Sequence, residues 1–171
     1  MADPSEAPAV SRATEDGAED RKEAATMALY VALCLLAALI ALPEGGAAHA
    51  HVLGIVWGVS VGLALAHWFA FRLSARLVGA GQIRWHDVRS GGAQLTGAAF
   101  VALLASVPVL VLPESWELEA VETVLAVFIS ATGFAVARSG GASYLRAAVY
   151  AVAVLVVALA IAVVKNALAG H

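Results

Sequence analysis

Along most of this chain apolar residues do not alternate with polar ones; they come in long runs. Positions 24–42, 52–73, 94–112, 120–137 and 144–164 are almost continuously apolar. Each run is close to the ~20 residues that a helix needs to cross a hydrocarbon core ~30 Å thick. Barrel strands would instead alternate outward and inward positions over segments of about ten residues. Helices satisfy their own backbone hydrogen bonds in lipid, so the pattern predicts an all-α, polytopic transmembrane bundle of five helices.

Polar residues gather at the start. Positions 1–23 hold seven acids, three bases and two prolines with almost no large apolar side chain. Such a segment buries too little surface to offset chain entropy, so a disordered acidic cytoplasmic tail is expected there. The bundle then occupies 24–166, with 167–171 as a short external C-terminus.

The second run, "LGIVWGVSVGLALAHWFAFR" at 53–72, repeats glycine at Gly54, Gly58 and Gly62 and carries His67. At ~100° per residue, with Gly54 at zero, Gly58 lies at about 40° and Gly62 at about 80°, forming one slanted seam. Small residues at this spacing let two helix backbones approach closely in lipid, so the seam is a helix-packing device. His67 falls at about 220°, opposite the seam, in line with Ser60 and Ser74. An ionisable side chain in a membrane segment ordinarily faces the bundle interior or a hydrated cavity. His67 also lies five residues before Arg72, close enough to the helix end to reach the interface. In the fourth run Glu119, Thr123, Ala126, Ser130, Gly133 and Ala137 share one side of a helix, which is expected to face inward and leave larger residues outside. Gln94, Ala98, Val101 and Ala105 form a similar strip in the third.

Composition agrees with the pattern. The 171 residues are 61% hydrophobic and 13% charged, whereas soluble domains are about one quarter charged. A net charge of −3 and ten scattered bases offer no basic face for nucleic acid. Cys34, the one cysteine, has no partner for an internal disulfide.

The bases are unevenly distributed, which gives an orientation. Arg12, Arg21 and Lys22 precede the first run; Arg72, Arg76, Arg84 and Arg89 surround the second connection; Arg138 and Arg146 flank the fourth. Lys165 alone falls on the other side. The positive-inside rule then puts the N-terminus in the cytoplasm and the C-terminus outside the cell membrane. A rival reading treats the first run as a secretory signal cut after Ala50, leaving four helices. Its apolar core is longer than the usual 7 to 15 residues and an acidic segment precedes it, so five helices is the preferred count.

"RSGGA" occurs at 89–93 and again at 138–142, each time before an apolar run. With Ala98 and Ala99 matching Ala147 and Ala148 at the same offset, helices two and three correspond to four and five in a parallel repeat with the first helix added. Both copies are expected in loops on the cytoplasmic side, where Gly and Ser permit a tight turn and Arg anchors it at the headgroups.

Enzymatic chemistry is not apparent. The chain has no GxSxG elbow, phosphate loop, HExxH motif or pair of carboxylates within a span. A divalent site built from His49, His51, Glu44 and the acids between 114 and 122 is disfavoured, because ligands two residues apart point to different sides of a helix. No catalytic residue, metal site or cofactor is expected.

The whole chain resembles the small Ala-, Val- and Arg-rich multi-pass membrane proteins of high-GC actinobacteria, with "LALAHWFAFRLSARL" as its most distinctive segment. The resemblance is compositional and implies a multi-pass membrane architecture without assigning functional residues. Two functional readings follow from the residues. In the first the protein is a non-enzymatic membrane subunit or scaffold, its seam packing within the bundle, on a second copy or on a partner. In the second it is a small proton or cation channel or transporter, with a path along Ser60, His67 and Ser74 and further lining by Glu119, Thr123 and Ser130.

Overall fold

A computed structural model of the protein describes residues 6–42, 49–78 and 85–168. The fold is all-α, with α1 (Glu6–Ile40), α2 (His49–Val78), α3 (Trp85–Val111), α4 (Glu114–Ser139) and α5 (Tyr144–Leu168). All five are long and apolar enough to cross a membrane. Glu44, Ala48, Arg84 and His171 lie outside the described residues, as do the side chains of Arg12, His49 and Lys165.

The first helix departs from expectation at its start. It begins at Glu6, so the segment expected to be disordered is helical from that residue onward. Ala, Glu, Arg and Lys are good helix formers, and Pro8 falls in the first turn, where a missing N–H has no intrahelical partner. Asp20 is also tied across to α3, accepting a hydrogen bond from Arg89 Nε at 2.6 Å. Further along, Val31, Leu35 and Leu39 have no exposed surface, and α1 packs on each of the other four helices. It is the centre of the bundle.

Around that centre each helix contributes a ladder of buried residues about four apart, as helix geometry requires. They are Val52, Val56, Ser60 and Ala64 of α2; Ala98, Val101, Ala105 and Val109 of α3; Val121, Leu125 and Ile129 of α4; and Ala147, Ala151 and Ala158 of α5. The core therefore mixes small and large side chains, in contrast to the expected division of small inward and large outward. Lipid tails are as apolar as leucine, so in a bilayer shape decides which face turns inward.

Outside, Phe69, Leu110, Val111, Leu145 and Val149 are each more than 60% exposed. An apolar surface spread over all sides of a bundle suits a lipid solvent and not water.

Two glycines mark the closest backbone approaches. A Cβ at Gly97 of α3 would fall onto the carbonyl oxygen of Ala24 in α1 and lie 2.9 Å from its carbonyl carbon. At Gly133 of α4 it would meet Val154 of α5 at 3.3 Å. Neither position belongs to the seam predicted from sequence.

The two RSGGA copies are not equivalent. Residues 138–142 form the α4–α5 turn: Gly141 has φ +79°, its N–H bonds to the Arg138 carbonyl, and the Arg138 guanidinium donates to the Ala142 carbonyl at 2.6 Å. That guanidinium also lies 4.1 Å from the Tyr144 ring centroid. Residues 89–93, expected in a loop, lie inside α3. Here Arg89 pairs with Asp20 and Gly91 lies against Trp68, contacts that hold the segment in a helix.

Candidate functional site

The buried ladder of α2 fixes how its two marked faces are turned. Val52, Val56, Ser60 and Ala64 centre on the direction opposite the glycines, so Gly54, Gly58 and Gly62 point away from the bundle. All three are exposed, and a Cβ added at any of them meets nothing within 4 Å. Trp57, Val61 and Leu65 flank this stripe and are also exposed. The seam packs nothing inside the monomer.

On the opposite side Ser60 is 2% exposed, and its Oγ has no hydrogen-bond partner among the described residues. His67 lies two turns further along the same side, beyond the last buried position of the ladder. There it lines an open groove of 510 Å³ between α1, α2 and α3, together with Glu19, Lys22, Glu23, Thr26, Met27 and Tyr30 of α1 and Gln94 of α3. Ser74, a further two turns on, is exposed and is not among the lining residues.

On α4 the inward face is Glu117, Val121, Leu125, Ile129 and Gly133. Of the strip expected to face inward Gly133 is buried, whereas Glu119 and Thr123 are exposed and Ser130 is half-buried. The larger Val121, Leu125 and Ile129 fill the space against the core instead. None of these three polar residues reaches the His67 groove, so the residues proposed as a path are not brought to one cavity.

Two features were missed in the sequence. Glu117, one of the acids between 114 and 122 weighed there only for a divalent site, is 1% exposed in the first turn of α4. A carboxylate is favoured at a helix N-terminus, where free N–H groups carry partial positive charge. The second is the α1 wall of the groove. Its signal lay in the spacing, because residues 19, 22, 23, 26, 27 and 30 follow the i, i+3, i+4, i+7 rule of a single helix face.

Several polar contacts lie at the end of the bundle where the bases gather. Arg72 lies over the Trp68 ring at 4.5 Å, the Asp20–Arg89 pair joins α1 to α3, and the groove opens beside them. Among the described residues no group of three or more His, Cys, Asp and Glu side chains is placed to hold a metal ion. Comparison with protein-family models, curated proteins and solved structures finds no match to this chain.

Proposed function

We propose that the protein is a non-enzymatic membrane subunit that assembles with a second copy of itself through α2. The observation that carries this reading is the outward stripe of Gly54, Gly58 and Gly62, beside which there is open space. Glycine inside a helix costs roughly 1 kcal/mol relative to alanine, so three in succession weaken α2 without a compensating contact in the monomer. Association in lipid supplies one, because close backbone approach gains van der Waals contact that lipid tails do not match. The spans of α2 and α4 are 22% buried and that of α5 17%, so it is the glycine stripe and not exposure that singles out α2.

We further infer an N-terminus in the cytoplasm and a C-terminus outside the cell membrane, from the gathering of bases at one end of the bundle. The conduit reading is weaker, because His67 and Ser60 do not share a cavity with Glu119, Thr123 or Ser130.

Disulfide cross-linking of Gly58→Cys in native membranes tests the assembly. A Cys34→Ala background removes the one native thiol. The expected product is a covalent dimer that is lost when the cysteine is moved to the buried face at Val56. A monomer under the same oxidant would overturn the reading.

A further inference from the structure

Three helices place an uncharged hydrogen-bonding side chain at one level inside the membrane. Gln94 lies five residues beyond Arg89 on α3, His67 five residues before Arg72 on α2, and Tyr30 seven residues beyond Glu23 on α1. At ~1.5 Å per residue, each stands about 7–10 Å inward of the last charge on its own helix at that end. All three line the groove of 510 Å³, a volume within the range of about 300–1,000 Å³ typical of small-molecule sites. Among the described residues the Tyr30 hydroxyl, the His67 ring and the Gln94 amide make no hydrogen bond. The Thr26 hydroxyl, by contrast, donates to the Lys22 carbonyl at 2.8 Å.

From this convergence we infer that the groove binds a lipid quinone, an uncharged flat ring with two carbonyl acceptors and an apolar tail. A phenol O–H, an imidazole N–H and an amide NH₂ are all donors, and in hydrocarbon each is costly to leave unpaired. A head that only accepts, through oxygens on opposite edges of one ring, serves more than one of them; a sterol, with its single hydroxyl, does not. The depth excludes a charged head, which pays heavily to leave the headgroup level. No carboxylate calls for a cation either, because Glu19 and Glu23 both have interaction partners already. Buried Met27 and the Tyr30 ring supply the thioether and aromatic contacts that a flat ring favours. Entry is from the side. Every α2 residue from Leu65 to Ser74 except Phe71 is exposed, so other helices cover little of this half of α2 and the groove opens to lipid.

The inference is independent of α2 assembly, because the groove and the glycine stripe lie on opposite sides of that helix. Titration of decylubiquinone into the full chain in phosphatidylcholine nanodiscs tests it, read by quenching of tryptophan emission; Trp68 adjoins His67. Quenching is expected to saturate at one quinone per chain. The His67→Leu/Gln94→Leu variant is expected to bind about tenfold more weakly, as the loss of two neutral hydrogen bonds implies, whereas Glu119→Gln on α4 binds as the native chain does. Decylbenzene, with ring and tail but no carbonyl, is expected not to displace the quinone, nor is didecanoylglycerol, which has carbonyls but no ring. Quenching that never saturates, or that is unchanged in a folded double variant, would overturn the inference. So would displacement by either competitor at matched concentration. If the double variant does not fold, saturation and the two competitors decide in the native chain.

Discussion

Gly97 of α3 lies so close to Ala24 of α1 that a Cβ at position 97 would occupy the place of the Ala24 carbonyl oxygen. The obstacle is backbone, so rotamer changes give no relief and the helices themselves must separate. Gly97→Ala is therefore expected to destabilise the bundle by about 1–3 kcal/mol, the usual cost of overpacking, or to prevent folding. Gly58→Ala is expected to leave monomer stability unchanged or raised by up to about 1 kcal/mol, through helix propensity alone. Equilibrium unfolding of both variants in bilayer mimetics, read by loss of helical circular dichroism, separates the two kinds of glycine.

Leu35 of α1, with no exposed surface, lies in the core shared by all five helices. In a soluble protein Leu→Ala at such a site costs about 2–5 kcal/mol from transfer and cavity terms together. In lipid the transfer term largely vanishes because the alternative surroundings are equally apolar. The expected cost is about 1–2 kcal/mol, mostly from lost packing, and less at exposed Leu145. The same unfolding assay checks the ranking, and equal losses at both positions would remove α1 from the centre.

Helix number and the arrangement of the bases were legible because both depend on local composition: twenty apolar residues need a helix, and arginines mark its ends. Which face turns inward was legible on α3, where Ala98, Val101 and Ala105 are buried, and not on α4. Glu119, Thr123 and Ser130 look like an interior strip by polarity, but Val121, Leu125 and Ile129 fill the interior by shape. On α2 the two faces were separated correctly by angle, yet their direction depends on neighbours that no helix encodes alone. The glycine closest to another backbone, Gly97, stands in no repeat and so gave no signal. At the candidate groove His67 was visible, whereas its α1 wall was obscured because charged residues before an apolar run read as a solvated tail.

Two glutamates on α4, only two residues apart, should respond to a different extent. Glu117 is buried in the first turn and Glu119 is exposed. Removing a buried charged group that has interaction partners costs about 1.5–3 kcal/mol, whereas surface changes stay within about 0.5 kcal/mol. Glu117→Ala is expected in the first range and Glu119→Ala in the second. Thermal unfolding of the two purified variants checks the pair. Similar losses would mean that burial adds nothing to the contribution of Glu117, because the helix-end term of about 0.3–1 kcal/mol reaches Glu117 in the first turn and not Glu119.

The two RSGGA segments offer a test in which sequence is held constant and structure differs. Gly141 sits at φ +79° in the α4–α5 turn, a conformation that L side chains rarely adopt. Alanine there is expected to cost about 1–2 kcal/mol, because the left-handed region places Cβ against the following carbonyl. Its counterpart Gly92 is helical, exposed and open to a Cβ. Alanine at 92 is expected to stabilise α3 by up to about 1 kcal/mol. Opposite signs for the same substitution in the same five-residue context, measured by thermal unfolding, are what a helix at 89–93 and a turn at 138–142 require. Destabilisation at both positions would mean that 89–93 forms a turn after all, restoring the repeat that the five shared residues implied.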